Sequence, residues 1–597
     1  MGERIVISAL AHPYISLLPI SIAASSLRPA QSFAARVAVS SKPSSSLLAQ
    51  ARSQIASRHT FGESPSASLR AFGTSRLFRN TAPEEKIVAA TPTPANGRKP
   101  RSFFRSLKRA TYTIILAGVG TFAYYAYEGR HPPEQLPQDP SKKTVVVLGS
   151  GWGATSLLKG IDTEEFNVVV ISPHNYFLFT PLLPSVTVGT LDGRSIVQPT
   201  RHTTRFKTRA VQVYEAEAEH VDPINKTVTF RDNSDIQGRV GSVTINYDYL
   251  VYSVGTENQT FGIEGVKKYG CFLKELGDAE KIRTKLMDCI ETAALKGQTQ
   301  EEIDRLLHMV VVGGGPTGIE YAAELRDFIE SDLVRWYPEI GKKLRVTLIE
   351  ALPNILPMFS QTLIKYTEST FKENSINILT KHMVRDVDAE NVTVKTPSGE
   401  EQKIPYGLLV WAAGNTARPL TRQLMAALPE AQKNRRGLEV DDHMRLKGAE
   451  DSIFALGDAT ATAFAPTAQA AAQQGAYLAR VFNQLARVDV LEHKLEKAKK
   501  EGASGAEIQG LERQIEKASR IRPFKYSHQG SLAYIGSDKA VADISFGGTQ
   551  NFASGGVATF LFWRSAYFSM LFSLRNRSLV AADWLKVYLF GRDVSRE

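Results

Sequence analysis

Two glutamines, Gln469 and Gln473, stand four residues apart in the stretch PTAQAAAQQGAYLA, which begins at Pro466. Four residues is about one helical turn, so both amides leave the same face of a helix. Nearly every other residue there is alanine or glycine, so that helix can approach a neighbour or a ligand closely. The bland alternative is a close-packed helix with incidental surface glutamines. Two other stretches carry phosphate-binding chemistry. KKTVVVLGSGWGATSLLKGI reads as a buried strand, Thr144–Leu148, a glycine turn and a helix start, with Gly149, Gly151 and Ala154 in the GxGxxG/A spacing and Gly153 as a further candidate cofactor-binding residue. HMVVVGGGPTGIEYAAEL repeats the pattern with Gly313, Gly315 and Gly318 after a strand at Met309–Val312. The first glycine permits a tight turn, the second lets the backbone approach a pyrophosphate, and the third small residue lets helix and strand pack, leaving N-terminal amides for the phosphates.

The ends of the following strands differ. LRVTLIEA closes on Glu350, whose carboxylate accepts from a ribose 2′-hydroxyl and repels a 2′-phosphate, favouring NADH over NADPH. FNVVVIS closes on Ser172 where an acid is expected; a hydroxyl can still bond a ribose, but part of the signature is lost. Two such units in one chain suggest a tightly held flavin and a visiting nicotinamide.

These motifs need a frame of alternating strands and helices. YDYLVYSVGTENQTFGIEGV and YGLLVWAAGNTARPL are hydrophobic strands closing on small-residue turns at Gly255 and Gly414, suited to crossovers between two nucleotide domains. DSIFALGDATAT is another buried strand, ending at Gly457 and Asp458; the carboxylate could accept from flavin ribityl hydroxyls or simply cap the next helix. The expected fold is α/β, with two Rossmann-like dinucleotide-binding domains, an arrangement that resembles the glutathione-reductase-like flavoproteins, and a C-terminal membrane-anchoring helical segment. The expected boundaries are 141–265 with 435–540 for the FAD-binding domain, 266–434 for the NADH-binding domain and 541–597 for the anchor.

Charge narrows the partners. The net charge is +11, yet residues up to Arg109 carry sixteen Lys and Arg against four acids, so the remainder sums to about −1. The basic footprint of a nucleic-acid binder is missing from the body. Residues 1–80 are Arg- and Ser-rich with two acids, the composition of a mitochondrial transit peptide, the alternative being a disordered basic tail. A linker over 81–140 follows. It holds an apolar run at Thr111–Tyr127, about the minimum length for a membrane span. Arg101, Arg105, Lys108 and Arg109 precede that run, so a span would leave its N-terminal flank in the matrix and the body in the intermembrane space. The alternative is a surface-lying or buried helix. The tail, Val557–Phe590, is apolar and aromatic but broken by Arg564, Arg575, Arg577, Asp583 and Lys586, which suits two short in-plane helices. A dimerisation or core helix pair is the competing reading. Asp489–Arg522 is charged and helix-Gly-helix in pattern, a solvated hairpin or else a partner-binding coiled coil. Two cysteines, Cys271 and Cys289, make no CxxC pair, and the histidines are scattered singly, so no metal site is expected.

On GSGWGA, NYFLFTPLLPS, GGGPTGIEYAAEL, LGDAT, PTAQAAAQQ, LAYIGSDKA and the terminal FGRDVSRE, the chain from Thr144 onward resembles the type II, alternative, rotenone-insensitive NADH:ubiquinone oxidoreductases. The resemblance implies a non-proton-pumping enzyme of the mitochondrial inner membrane, with FAD and NADH as cofactors and ubiquinone as acceptor; a homodimer is expected. It implies Gln469 and Gln473 beside flavin and quinone, Glu320 near the nicotinamide, and Thr180 of NYFLFTPLLPS at the flavin. No DxDxDG loop occurs, so calcium control is not supported. A disulfide or sulfide:quinone reductase is disfavoured by the cysteines. A matrix-facing enzyme and an apoptosis-inducing-factor-like NADH sensor remain as alternatives.

Overall fold

The computed structural model describes residues 101–596 apart from Gln237 and 547–549; segment 1–80, read as a transit peptide, lies outside the described residues. Two five-stranded parallel sheets organise it. The first runs Ile453–Ala455, Tyr249–Tyr252, Thr144–Leu148, Asn167–Ser172, Gln212–Glu215 in spatial order. The second runs Cys271–Phe272, Leu408–Trp411, His308–Val312, Arg345–Glu350, Ile376–Thr380. Parallel strands need crossovers and are covered on both faces, which is why VVVL and HMVVV are continuous apolar runs instead of alternating ones. In each sheet the strand that leads into a glycine turn is central. The two crossover segments meet: Thr256–Asn258 pairs antiparallel with Asn415–Ala417, joining the halves just beyond Gly255 and Gly414.

The glutamine stretch opens a 33-residue helix, Ala468–Lys500, capped by Thr467, whose hydroxyl accepts from the Ala470 amide. It crosses Trp152–Gly160, the helix that follows the first glycine turn. A Cβ on Gly475 would lie 2.1 Å from the Gly153 carbonyl oxygen, so the crossing admits only glycine there. That close approach explains the missing bulk in PTAQAAAQQ. The same helix runs on into the charged hairpin, which turns at Gly502 and returns as Gly505–Ser519, with no buried residue on the returning helix.

An antiparallel sheet, Ser531–Gly536, Lys539–Phe546 and Gln550–Gly556, precedes helices Val557–Met570 and Leu574–Phe590. Its second strand runs across residue 540. Three of the charges that interrupt the tail find partners within the fold, while Arg575 and Lys586 are exposed. Arg564 stacks on Phe560 and Trp584, Asp583 accepts from the Ser195 hydroxyl at 2.6 Å, and Arg577 reaches the Ser569 carbonyl. Leu561, Phe562, Leu585, Tyr588 and Phe590 are left exposed.

The expected membrane span needs correction. Thr111–Tyr127 does lie in one helix, Arg101–Arg130, but no helix among the described residues is long and apolar enough to cross a membrane. Threonines, glycines and tyrosines dilute a run already at the minimum length, and charged residues bound it on both sides. The helix instead contacts Leu574–Phe590, with Ile114, Leu116, Val119 and Phe122 exposed.

Candidate functional site

The first glycine turn opens into a cavity of about 830 Å³ at the carboxyl ends of its sheet, where ligands bind in open α/β folds. Gly149 has φ +103°, and a Cβ there would meet the Ser253 carbonyl at 2.6 Å. Gly151, Gly153, Ser172, Thr180, Gly255, Gly414, Gly457 and Asp458 all line the cavity. Ala154 lies just behind it, fully buried in the helix–sheet seam. Thr180 accepts from the Trp152 indole N–H at 3.1 Å, closing one wall. Ser172 is buried and its hydroxyl donates to Ser150 Oγ at 3.0 Å, so it braces the glycine turn from below.

Several cavity residues had no sequence signal. Lys274 enters from the second half and donates to Thr256 Oγ1 at 2.8 Å and Asn415 Oδ1 at 2.9 Å. Burial pulls its pKa down while Asp458 opposes that shift; burial likewise raises Asp458, and Lys274 opposes it. Both groups line the cavity. Gln474, one residue beyond the pair singled out by spacing, is buried and accepts from the Gly457 amide at 2.7 Å, fixing the Gly457–Asp458 turn. Arg231 and Glu219, paired at 3.0 Å, also line the cavity. These residues suit FAD: a turn without side chains for the pyrophosphate, polar groups along a cleft of dinucleotide size, and a close-packed helix beside it.

The second turn follows the same plan. Gly313 has φ +116°, Gly315 caps the helix Pro316–Phe328, and a Cβ on Gly318 would stand 2.0 Å from the Gly313 carbonyl. Glu350 accepts from the Gly314 amide at 2.5 Å and from the Leu352 amide at 2.7 Å, so its carboxylate sits at the lip of the turn. Glu320 lies elsewhere. It is buried on the helix face turned toward the C-terminal sheet, where Oε1 accepts from the Tyr534 amide at 3.1 Å. Burial pushes its pKa up to about 8, with the Tyr534 amide opposing. One and two turns along, Glu324 accepts from Ser185 and Thr190 hydroxyls, and Asp327 accepts from the Tyr534 hydroxyl and the Ser537 amide.

Gln469 and Gln473 do share one helix face, and Ala468 and Ala471 of that helix line the cavity. Both amides reach the segment Tyr526–Gln529, which sequence spacing could not bring to them. Cys271 and Cys289 are buried and free, and among the described residues no cluster of His, Cys, Asp or Glu could hold a metal ion.

The two glycine turns, the cleft between the halves and the alanine-faced helix define a two-dinucleotide flavoprotein oxidoreductase. A family model described as pyridine nucleotide-disulphide oxidoreductase matches residues 143–475, and one described as NDH2 C-terminal domain matches 528–593. The chain is 49% identical to the mitochondrial external alternative NADH-ubiquinone oxidoreductase of Yarrowia lipolytica, over 84% of this chain and 88% of that one. It is 45% identical to the mitochondrial external NADH-ubiquinone oxidoreductase 2 of Saccharomyces cerevisiae, over 83% and 90%. The structure of NDH2 from Plasmodium falciparum in complex with NADH superposes with a TM-score of 0.67 at 29% identity, covering 76% of this chain and all of that one. The chain belongs to the pyridine nucleotide-disulphide oxidoreductases, in the branch of the mitochondrial NADH-ubiquinone oxidoreductases.

Proposed function

We propose that the protein oxidises NADH and reduces ubiquinone on the outer face of the mitochondrial inner membrane, without pumping protons. The observation that carries this is the helix Ala468–Lys500, which presents the small residues Ala468 and Ala471 to the cavity. Bound FAD supplies a two-electron carrier between hydride donor and quinone. The balance is NADH, ubiquinone and one proton in, and NAD⁺ and ubiquinol out.

The chain's own residues bind and orient. Gly149, Gly151 and Gly153 hold the FAD pyrophosphate, Asp458 and Lys274 the cavity end, and Thr180 the wall. Gly313, Gly315 and Gly318 take the NADH pyrophosphate, with Glu350 accepting from its ribose. Orientation of this kind is worth several kcal/mol of the barrier. Gln469 faces the quinone. Glu320, raised to about 8, keeps its proton at neutral pH inside the seam with the C-terminal sheet; its place in the reaction is through that seam.

The exposed apolar residues of Val557–Met570 and Leu574–Phe590 lie in the headgroup region, and Arg101–Arg130 lies in plane beside them. The external designation of the fungal relatives favours the intermembrane-space side. A homodimer completes the reading. The test is NADH oxidation by intact mitochondria containing the protein, with rotenone present. Prompt respiration on added NADH is the expected result, since NADH does not cross the inner membrane. Activity only after the inner membrane is opened would place the enzyme in the matrix, and activity in neither state would overturn the quinone reductase reading. Sedimentation of the detergent-solubilised protein checks the dimer.

A further inference from the structure

We infer that Tyr526 is a positioning residue for quinone reduction: together with the Gln529 amide it occupies the carbonyl of Gln469, so that this side chain turns its N–H donors to the quinone. The inference rests on the reading that Gln469 faces the quinone.

The orientation of an amide side chain follows from what its partners can do. A backbone N–H only donates, so the Gln469 atom at 2.9 Å from the Gln529 nitrogen is the oxygen. The Tyr526 hydroxyl donates to the same oxygen at 2.8 Å. Both lone pairs of Gln469 Oε1 are then taken, and what remains to offer is Nε2 with its two hydrogens. A quinone carbonyl accepts and cannot donate, so a donor is what it requires. Had the amide been free to flip, half of its orientations would place an oxygen against the quinone oxygen.

The network extends one step further. His528 Nδ1 lies 3.2 Å from the Tyr526 oxygen. Because the tyrosine proton is directed at Gln469, the imidazole N–H is the donor in that contact, and donation runs from His528 to Tyr526 to Gln469. The Tyr526 ring packs at 5.1 Å from Phe464, which fixes where its hydroxyl points.

The second glutamine does a different job. Gln473 Nε2 donates to the Ser527 carbonyl at 2.7 Å, and its Oε1 accepts from the Ser527 amide at 3.0 Å. Both ends of the amide are engaged by one residue's backbone, as in a strand pairing. Gln473 thus pins the segment that carries Tyr526 and spends one of its two N–H donors on it, whereas Gln469 keeps both.

The test is a double-mutant cycle on the full-length holoenzyme with a short-chain ubiquinone. Three readouts are taken: the KM for quinone, the rate at which NADH bleaches the bound flavin, and turnover with ferricyanide, which accepts electrons without a hydrogen bond. Tyr526→Phe should raise the quinone KM about tenfold, leaving flavin bleaching and ferricyanide turnover unchanged. In a Gln469→Ala background the same change should add nothing. An equal effect in both backgrounds would overturn the inference, as would no effect of Tyr526→Phe where Gln469→Ala raises KM. If Gln469→Ala itself leaves the quinone KM unchanged, the quinone-facing role of Gln469 falls and takes this inference with it. Gln469→Glu covers the case in which Tyr526→Phe does not fold. It keeps acceptors for Tyr526 and Gln529 but has no N–H, so its quinone KM should rise as much as for the alanine variant. A wild-type KM there would sink the proposal.

Discussion

The two glycine turns share a central strand, a positive-φ first glycine and a helix start, yet they differ in what closes over them. The first is roofed by a second helix whose Gly475 approaches Gly153, and its cavity is completed by Lys274, Gly414 and Asn415 from the other half of the chain. At the second stands a carboxylate, Glu350, on the Gly314 amide. The positions seven residues past the first glycine diverge as well. Ser156 donates to the Ala472 carbonyl of the roofing helix at 2.7 Å, whereas Glu320 is buried against the C-terminal sheet. One supersecondary unit thus stands in two settings: walls shared by both halves at the first turn, and a carboxylate held against the glycine amide at the second.

Substitution can break that comparison. The largest effect is expected for Gly475→Ala, because its Cβ would collide with the Gly153 carbonyl and part the roof from the first turn. Destabilisation of about 3 kcal/mol and loss of bound FAD are expected, read by thermal denaturation and flavin absorbance. Retention of stoichiometric flavin would show that the roof is dispensable. Gly318→Ala makes a comparable clash inside the second turn, but here FAD should stay bound while the KM for NADH rises at least about tenfold. Flavin loss in that variant would mean that the two turns are not independent.

The third expectation concerns pH. Glu320 titrates near 8 in the folded protein and near the ordinary carboxylate value of about 4.3 when unfolded. The folded state therefore holds more protons across that interval, and its stability falls as pH rises from about 4 to 8. Glu320→Gln should remove that slope, a difference on the order of a few kcal/mol. Parallel pH profiles of Tm for the two proteins would place Glu320 in a more solvated setting. The smallest change is expected for Glu350→Gln. Losing the charge at the lip should raise the KM for NADH severalfold and lower that for NADPH, narrowing the preference. Unchanged NADPH kinetics would remove Glu350 from cofactor selection.

Sequence reading went far wherever a local rule acts over a few residues. Both strand–turn–helix units stand where spacing put them, because a GxGxxG turn between an apolar run and a helix depends on its own backbone. The paired glutamines share a helix face for the same reason. Length and composition were less informative for Thr111–Tyr127, where a helix formed but its apolarity does not meet the demand of a span. The interruptions of the tail were legible as charges, but not their inward partners Ser195, Phe560 and Trp584.

By itself, then, the sequence determined the two nucleotide turns, the small-residue helix and the family to which they belong. Tertiary structure alone decided which side chains meet. Lys274 and Asn415 are far apart in the chain, as are Gln469 and Tyr526, and Glu320 and Tyr534. No short-range periodicity records such contacts. They exist because parallel sheets return distant segments to the same edge, and because a helix with almost no side chains can lie close enough for its few amides to reach across.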